Sequence, residues 1–527
     1  MQRIVRKRLL DLWSSELRDT RRNFIFGGIS FATLFSPVMW SQQKAKGNEV
    51  LPGLRRKGEF SDTARLQRAI DEAHRRGGGT VYIPAGRYVS GSLCLRSHVT
   101  IWLGDGAKLV MSKEPREFLS PEKLDYDPKA NFATSNFHVA LLVGDGVENI
   151  SVAGPGEIDC EYTKGGGPKP IALRRCRNVT IRDLTIRNSP SYNVSLLGCE
   201  FVTIDNITIR NGLSDGIDPD CCRYVRISNC FIESYDDAIV LKSSDALGEL
   251  KSTEFVTIEN CILRTASIYF KCGTESCGDF QDITISNCAF EGGMGMRHGN
   301  PGLAFYTVDG GTLANIVATG IVMRDVGTPI AILRGNRDRC HLAAGPGSLA
   351  SIRISNVVAS DAKLPSVIAG LPDAPVVGIS LSGLRINMAA SVKGSSDLLA
   401  VPERPGSYPE PIMFGELPCY GFFIRHAEEI DLSDIRIQSS HNEMLPVMAA
   451  DDVVDLRLAR FQSDRSESTT QLWLNNARNS SFELTDQLSC RISGSKSAAL
   501  RFFGASREVL RHLVYRDSDV RDDVIQS

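Results

Sequence analysis

One short alternation of apolar and polar positions keeps returning along this chain: apolar, any, apolar, any, polar, two of any kind, apolar. It reads Val179-Thr-Ile181-Arg-Asp183-Leu-Thr-Ile186, then Val202-Thr-Ile204-Asp-Asn206-Ile-Thr-Ile209, then Val225-Arg-Ile227-Ser-Asn229-Cys-Phe-Ile232, with leading residues 23 apart in both steps. Two further copies begin at Val256 and Ile283, and looser ones at Ile352, Ile430 and Val454. Alternation over so few residues is the mark of a short strand, and the polar residue that ends each run marks a change of direction. A strand of this length cannot bury an apolar face alone. Coils stacked about 4.8 Å apart can do so, each strand pairing in parallel with its equivalent one coil away.

The pattern therefore predicts an all-β fold, a right-handed parallel β-helix. Asn206, Asn229, Asn260 and Asn287 should form one column at a bend, with Cys230, Cys261 and Cys288 in another that faces inward as core. A propeller blade needs about 40 to 50 residues, more than this step provides, and the Leu and Asn spacing of a leucine-rich solenoid is missing. Residues 63–76, with Leu66, Ala69, Ile70 and Ala73 at helical spacing after Asp62 and before Gly77-Gly78-Gly79, predict a helix that caps the N-terminal end of the core. The repeat weakens past about residue 480, and residues 389–418, rich in Gly, Pro and Ser, read as a loop projecting from a coil.

Composition adds limits. Sixty Lys and Arg stand against 62 Asp and Glu, so no overall basic charge draws in nucleic acid or an anionic bilayer, and a polyanion would have to be met locally. The first residues carry Arg3, Arg6, Lys7, Arg8 and Arg18, then Arg21-Arg22, then an uncharged run over 24–40. That order resembles a twin-arginine export signal, and residues 1–47 are set apart from the fold on this reading, leaving 48–527 as one β-helix domain in the periplasm or outside the cell. A membrane anchor is the alternative, but Gly27, Gly28, Ser30, Ser36 and Pro37 break the run, and no stable membrane insertion is expected after export. The 14 cysteines lack metal-ligand spacing, and several fall inside strand patterns, so mostly free, buried thiols are expected, with no metal and no cofactor.

Longer matches narrow the reading. Leu66-Gln67-Arg68-Ala69-Ile70 followed by residues 77–88, GGGTVYIPAGRY, resembles the entry coil of pectin-active β-helix proteins. Gly154-Pro155-Gly156-Glu157-Ile158-Asp159, Ser214-Asp215-Gly216-Ile217-Asp218 and Tyr235-Asp236-Asp237-Ala238-Ile239 resemble the polygalacturonase family, glycoside hydrolase family 28, across about residues 55–335. Two family elements are missing: residues 265–271 lack its His-Gly pair, and residues 302–307 lack its Arg-x-Lys.

The resemblance implies three catalytic aspartates, Asp215, Asp236 and Asp237. Asp215 precedes the doublet by 21 and 22 residues, close to one 23-residue circuit, so the three should meet on the outer wall. Either motif by itself is as well explained by a turn, Asp-Gly and Asx bends being common. By family analogy Asp236 is the general acid, while Asp215 and Asp237 activate water across a gap of about 6.5 to 9.5 Å, the geometry of inversion. Asp218 and Asp220 stay open between groove and structural roles. The substrate-binding candidates are Lys242, Lys271, Arg297, His298, Arg334, Tyr408 and Glu410, the cations as partners for a sugar carboxylate or for the aspartates. Arg337 is a weaker one. Tyr408 and Glu410 in the long loop, and Arg425-His426 just after it, read as exposed groups. Ordinary surface packing explains them as well as a place over the groove does.

The expected function is thus hydrolysis of glycosidic bonds in an acidic, pectic-type polysaccharide or oligosaccharide by a monomeric enzyme. A polysaccharide lyase on the same fold would instead use a Lys or Arg base beside a cation and leave an unsaturated product. A third alternative is a non-catalytic, glycan-binding β-helix.

Overall fold

The computed structural model describes residues 61–503, except 132–133, 135, 344, 390–396, 440–444, 465–469 and 484–488, together with the backbone of the short strands Glu49–Val50, Val514–Tyr515 and Ile525–Gln526. The proposed export signal lies outside these residues. Strand after strand pairs in parallel with its equivalent one coil on, which makes the chain a parallel β-helix as the repeat predicts. Val179 registers with Val202, Val202 with Val225, Val225 with Val256, and Val256 with Ile283. No helix among the described residues is long and apolar enough to cross a membrane.

The repeat encodes its own corners. Asn206, Asn229, Asn260 and Asn287 take φ of 52, 57, 55 and 51°, the left-handed region that Asn tolerates better than other side chains. Their amides bond along the stack: Asn206 donates to Asp183 at 2.9 Å, Asn229 to Asp205 at 2.7 Å and Asn260 to Asn229 at 3.4 Å. Cys230, Cys261 and Cys288 are buried, each thiol donating to the carbonyl two residues earlier at 3.1 to 3.2 Å. The helix spans Thr63–Arg75 and buries Leu66, Ala69, Ile70 and Ala73 at the end of the core, with Asp62 at its N-cap.

Two features add to the sequence reading and a third departs from it. Pairing continues past residue 480, through Ser481–Glu483, Cys490–Ser493 and Arg501–Phe503, because strands of three or four residues suffice once a coil below supplies the ladder. Among the cysteines, Cys277 and Cys340 form a disulfide with Cα atoms 5.5 Å apart, while the other twelve are free. These two sit in turns far apart in sequence, so only the stacking brings them together. The described part of the long loop, residues 397–418, does not project: Leu398, Val401, Phe414 and Leu417 are buried against Ile268, Ala304, Tyr306, Ala331 and Leu333 on the outer wall.

Candidate active site

Asp215 and Asp237 occupy equivalent corners of adjacent coils, each just before the strand that forms the outer wall, Ile217–Asp220 and Ile239–Ser243. The Gly216 amide donates to the Asp237 carbonyl at 2.8 Å and the Ile217 amide to the Ala238 carbonyl at 3.0 Å. This contact explains the Asp-Gly pair, for a Cβ on residue 216 would lie 2.3 Å from the Ala238 carbonyl oxygen. One carboxylate oxygen from each of Asp215, Asp236 and Asp237 can be chosen so that all lie within 4.8 Å of one another. That is tighter than the spacing expected from the sequence, because equivalent corners of neighbouring coils are separated by only about one strand spacing, roughly 4.8 Å.

Two buried lysines hold the cluster. Lys242 donates to Asp215 at 3.0 Å and to Asp218 at 2.5 Å, and its Nζ lies 3.9 Å from the centre of the Tyr192 ring. Lys271 donates to Asp237 at 2.9 Å and to the Tyr408 hydroxyl at 3.1 Å. Asp237 also accepts from the Ser267 hydroxyl at 2.8 Å and the Ile268 amide at 3.2 Å. Burial and the neighbouring Asp218 push the Asp215 carboxyl well above the usual carboxylate range, against the pull of Lys242. Burial would raise Asp237 too, but Lys271 and the Ser267 bond outweigh it and hold it low. Asp236 differs from both: its side chain is 32% exposed, with the Arg297 guanidinium 3.5 Å away.

The remaining candidates divide. Tyr408 folds over the wall, its hydroxyl also accepting from Thr274 at 3.0 Å, and the His298 ring lies 5.6 Å from the Tyr408 ring. His298 and Glu410 share a 2.5 Å hydrogen bond that raises the imidazole above its ordinary value. Lys242, Lys271, Arg297, His298, Tyr408 and Glu410 are thus joined to the aspartates or to one another. Arg334 is not, and that is a correction: its guanidinium donates to the backbone carbonyls of Pro375 and Gly347, a clamp between coils. Arg337 pairs with buried Asp309 and donates to the Thr274 carbonyl at 3.1 Å. Arg425 and His426 are not exposed, at 8% and 7%, because they pin the long loop: Arg425 donates to the Val401 carbonyl at 2.8 Å, and both contact Glu403.

Sequence reading left Asp218 open and passed over Glu275. Asp218 shares Lys242 with Asp215. Glu275 is buried, and although burial would raise its carboxyl, Lys242 and Lys271 keep it low. The spacing Asp215-x-x-Asp218, with both residues on the outward side of one corner, was the available signal. Asp220 is structural, accepting from the Ser244 amide at 2.8 Å and its hydroxyl at 2.5 Å.

Residues 117–366 match the model of the glycosyl hydrolases family 28. Over that stretch the chain is similar to the glycosyl hydrolases of family 28. A probable polygalacturonase of Vitis vinifera is 26% identical over 368 residues, covering 64% of this chain and 73% of that protein. The fold is shared with a family 28 exopolygalacturonase of Yersinia enterocolitica, at TM-score 0.60 and 17% identity over 79% of this chain and 78% of that one. It is shared too with a hyperthermoactive exopolygalacturonase of Thermotoga maritima, at TM-score 0.55 and 21% identity over 65% of this chain and 88% of that one. Against the family 28 pattern, the missing Arg-x-Lys has a structural counterpart. Ala304 stands where the wall continues from Lys271, and the apolar surface it begins is covered by the long loop.

Proposed function

We propose that this family 28 glycosyl hydrolase, exported to the periplasm or beyond, acts as a monomer on an acidic, pectic-type polysaccharide and cleaves it with inversion. The observation that carries the reading is the meeting of Asp215, Asp236 and Asp237 within 4.8 Å at a cation-rich wall. Asp236, the carboxyl open to solvent, is the one a leaving glycosidic oxygen can reach, and it acts as general acid. Asp215 and Asp237, each 5% exposed and tied to a lysine, are placed to orient and deprotonate a water rather than to attack carbon themselves. Carboxyls this close titrate as a unit, the Asp215 carboxyl pushed up by burial and Asp218 and the Asp237 carboxyl held low by Lys271. Arg297, Lys271 and the His298–Glu410 pair supply the cationic and hydrogen-bonding contacts for a sugar carboxylate beside the scissile bond.

Incubation with homogalacturonan, rhamnogalacturonan and branched galacturonide oligosaccharides, with product anomers followed by NMR, tests this reading. Inverted anomers and silence of Asp236→Asn are the expected results. Carboxyls about 5 to 5.5 Å apart also serve retaining enzymes, so a retained anomer would overturn the assigned roles. A product absorbing in the ultraviolet would replace hydrolysis with elimination.

A further inference from the structure

On the N-terminal side of the aspartates the outer wall opens into a cavity of about 780 Å³, lined by Phe118, Leu119, Tyr162, Pro190, Ser214 and Lys169 among others. Ser214, the residue before Asp215, is part of its lining. Its volume lies within the roughly 300 to 1,000 Å³ of small-molecule sites. On the other side, Ala304 and Tyr306 in the coil after Lys271 are covered by Leu398, Val401, Phe414 and Leu417.

Lys169 is the unexplained group there. It opens the strand Lys169–Arg174, and the register of Ile171 with Val194 and of Val194 with Ile217 places it two coils from Asp215 on the same line of corners. It is 2% exposed, and among the described residues its Nζ has no hydrogen-bond partner. What surrounds it instead are aromatic rings, Phe137 at 4.7 Å and Tyr192 at 5.8 Å. Lys242 and Lys271 on the same wall each hold a carboxylate, whereas among the described residues Lys169 holds none. A buried amine without a partner is costly, and folded proteins rarely leave one unless something else satisfies it.

We propose that Lys169 anchors an anionic-sugar subsite in this cavity, its amine receiving the carboxylate of a uronate on the N-terminal side of the scissile bond. Tyr162 and Phe118 offer apolar surface to the sugar ring. This assignment rests on the reading that the aspartates act on an acidic glycan. Burial pushes the Lys169 amine down to about 7; the Asp218, Glu122 and Asp220 carboxylates oppose that fall and the Lys242 ammonium adds to it. A carboxylate ligand favours the charged amine, so uronate binding strengthens as pH falls through about 7 and persists until the ligand itself is protonated.

The test is calorimetric titration of digalacturonate and its methyl ester into the full chain at pH 5.5 and 8, in an Asp236→Asn background that prevents turnover, with and without Lys169→Met. The acid should bind up to about tenfold more tightly at pH 5.5 than at pH 8, the ratio of charged amine at the two pH values for a group that titrates at about 7, the ester should show no such preference, and K169M should abolish it. Equal binding of acid and ester, or a pH preference that survives K169M, overturns the subsite. The comparison within the Lys169-containing protein needs no change at that position, so a K169M chain that fails to fold still leaves the proposal open to refutation by acid and ester binding alike. Hydrolysis assayed separately keeps the two readings apart. Sugar release from pectic substrates without any acid preference retains the hydrolase and removes the subsite, and Lys169-dependent binding without sugar release does the reverse.

Discussion

Replacing Lys271 with Met removes one charge from a buried pair and keeps the shape of its stem. The two side chains are 4% and 7% exposed, so little solvent screens the Asp237 carboxylate that is left behind. Breaking a buried pair by deleting one partner costs about 3 to 5 kcal/mol, and the lower end applies because Ser267 and Ile268 still donate to Asp237. The pH dependence follows from two directions of shift. Asp237 is held below its ordinary value, so its share of stability is present above the unfolded carboxylate pKa, about 3.9, and is lost as pH falls through the lower folded value. Lys271 is held above its ordinary value, so its share is present at every pH below the unfolded lysine pKa, about 10.4, and is lost as pH rises through the higher folded value. The penalty in K271M should therefore be full at pH 7 and shrink toward pH 3. In the variant Asp237 protonates at higher pH, which moves the acid limb of kcat/KM upward. Thermal unfolding at pH 7 and 3.5, beside a pH–rate profile on oligogalacturonide, measures both. Equal destabilisation at the two pH values together with an unmoved acid limb would refute the coupling of Lys271 to Asp237.

Gly216→Ala places a methyl against the Ala238 carbonyl, which cannot retreat without moving the Asp-Asp corner; a loss of about 1 to 3 kcal/mol and a fall in kcat larger than any change in KM are expected from melting and steady-state kinetics. Tyr408→Phe deletes the hydroxyl shared by Lys271 and Thr274, which should cost about 0.5 to 1.5 kcal/mol of stability, read as a small fall in melting temperature, and should raise KM for acidic substrate. Cys277→Ser frees Cys340 and opens a link between residues 63 apart in sequence, which should cost about 2 to 4 kcal/mol, read as a lowered melting temperature that reductant no longer changes.

The sequence by itself determined the coil. Val and Ile alternate with polar residues because each short strand has one face in the core, and Asn recurs because the corner needs a left-handed backbone. The same regularity placed Asp215 one circuit before Asp236 and Asp237, so their meeting was legible before any coordinates. Contacts between segments with no common period were decided by tertiary structure alone. The Cys277–Cys340 link, the long loop that brings Tyr408 and Glu410 to the wall, and the Arg425 and His426 pins that hold that loop depend on which side chains meet across the stack, and a linear pattern does not record this. Charge states belong to the same class. Asp215 and Asp237 are the same residue type at equivalent corners, yet one is pushed up and the other held low, because the proximity of Asp218 and of Lys271 is a distance in space rather than along the chain.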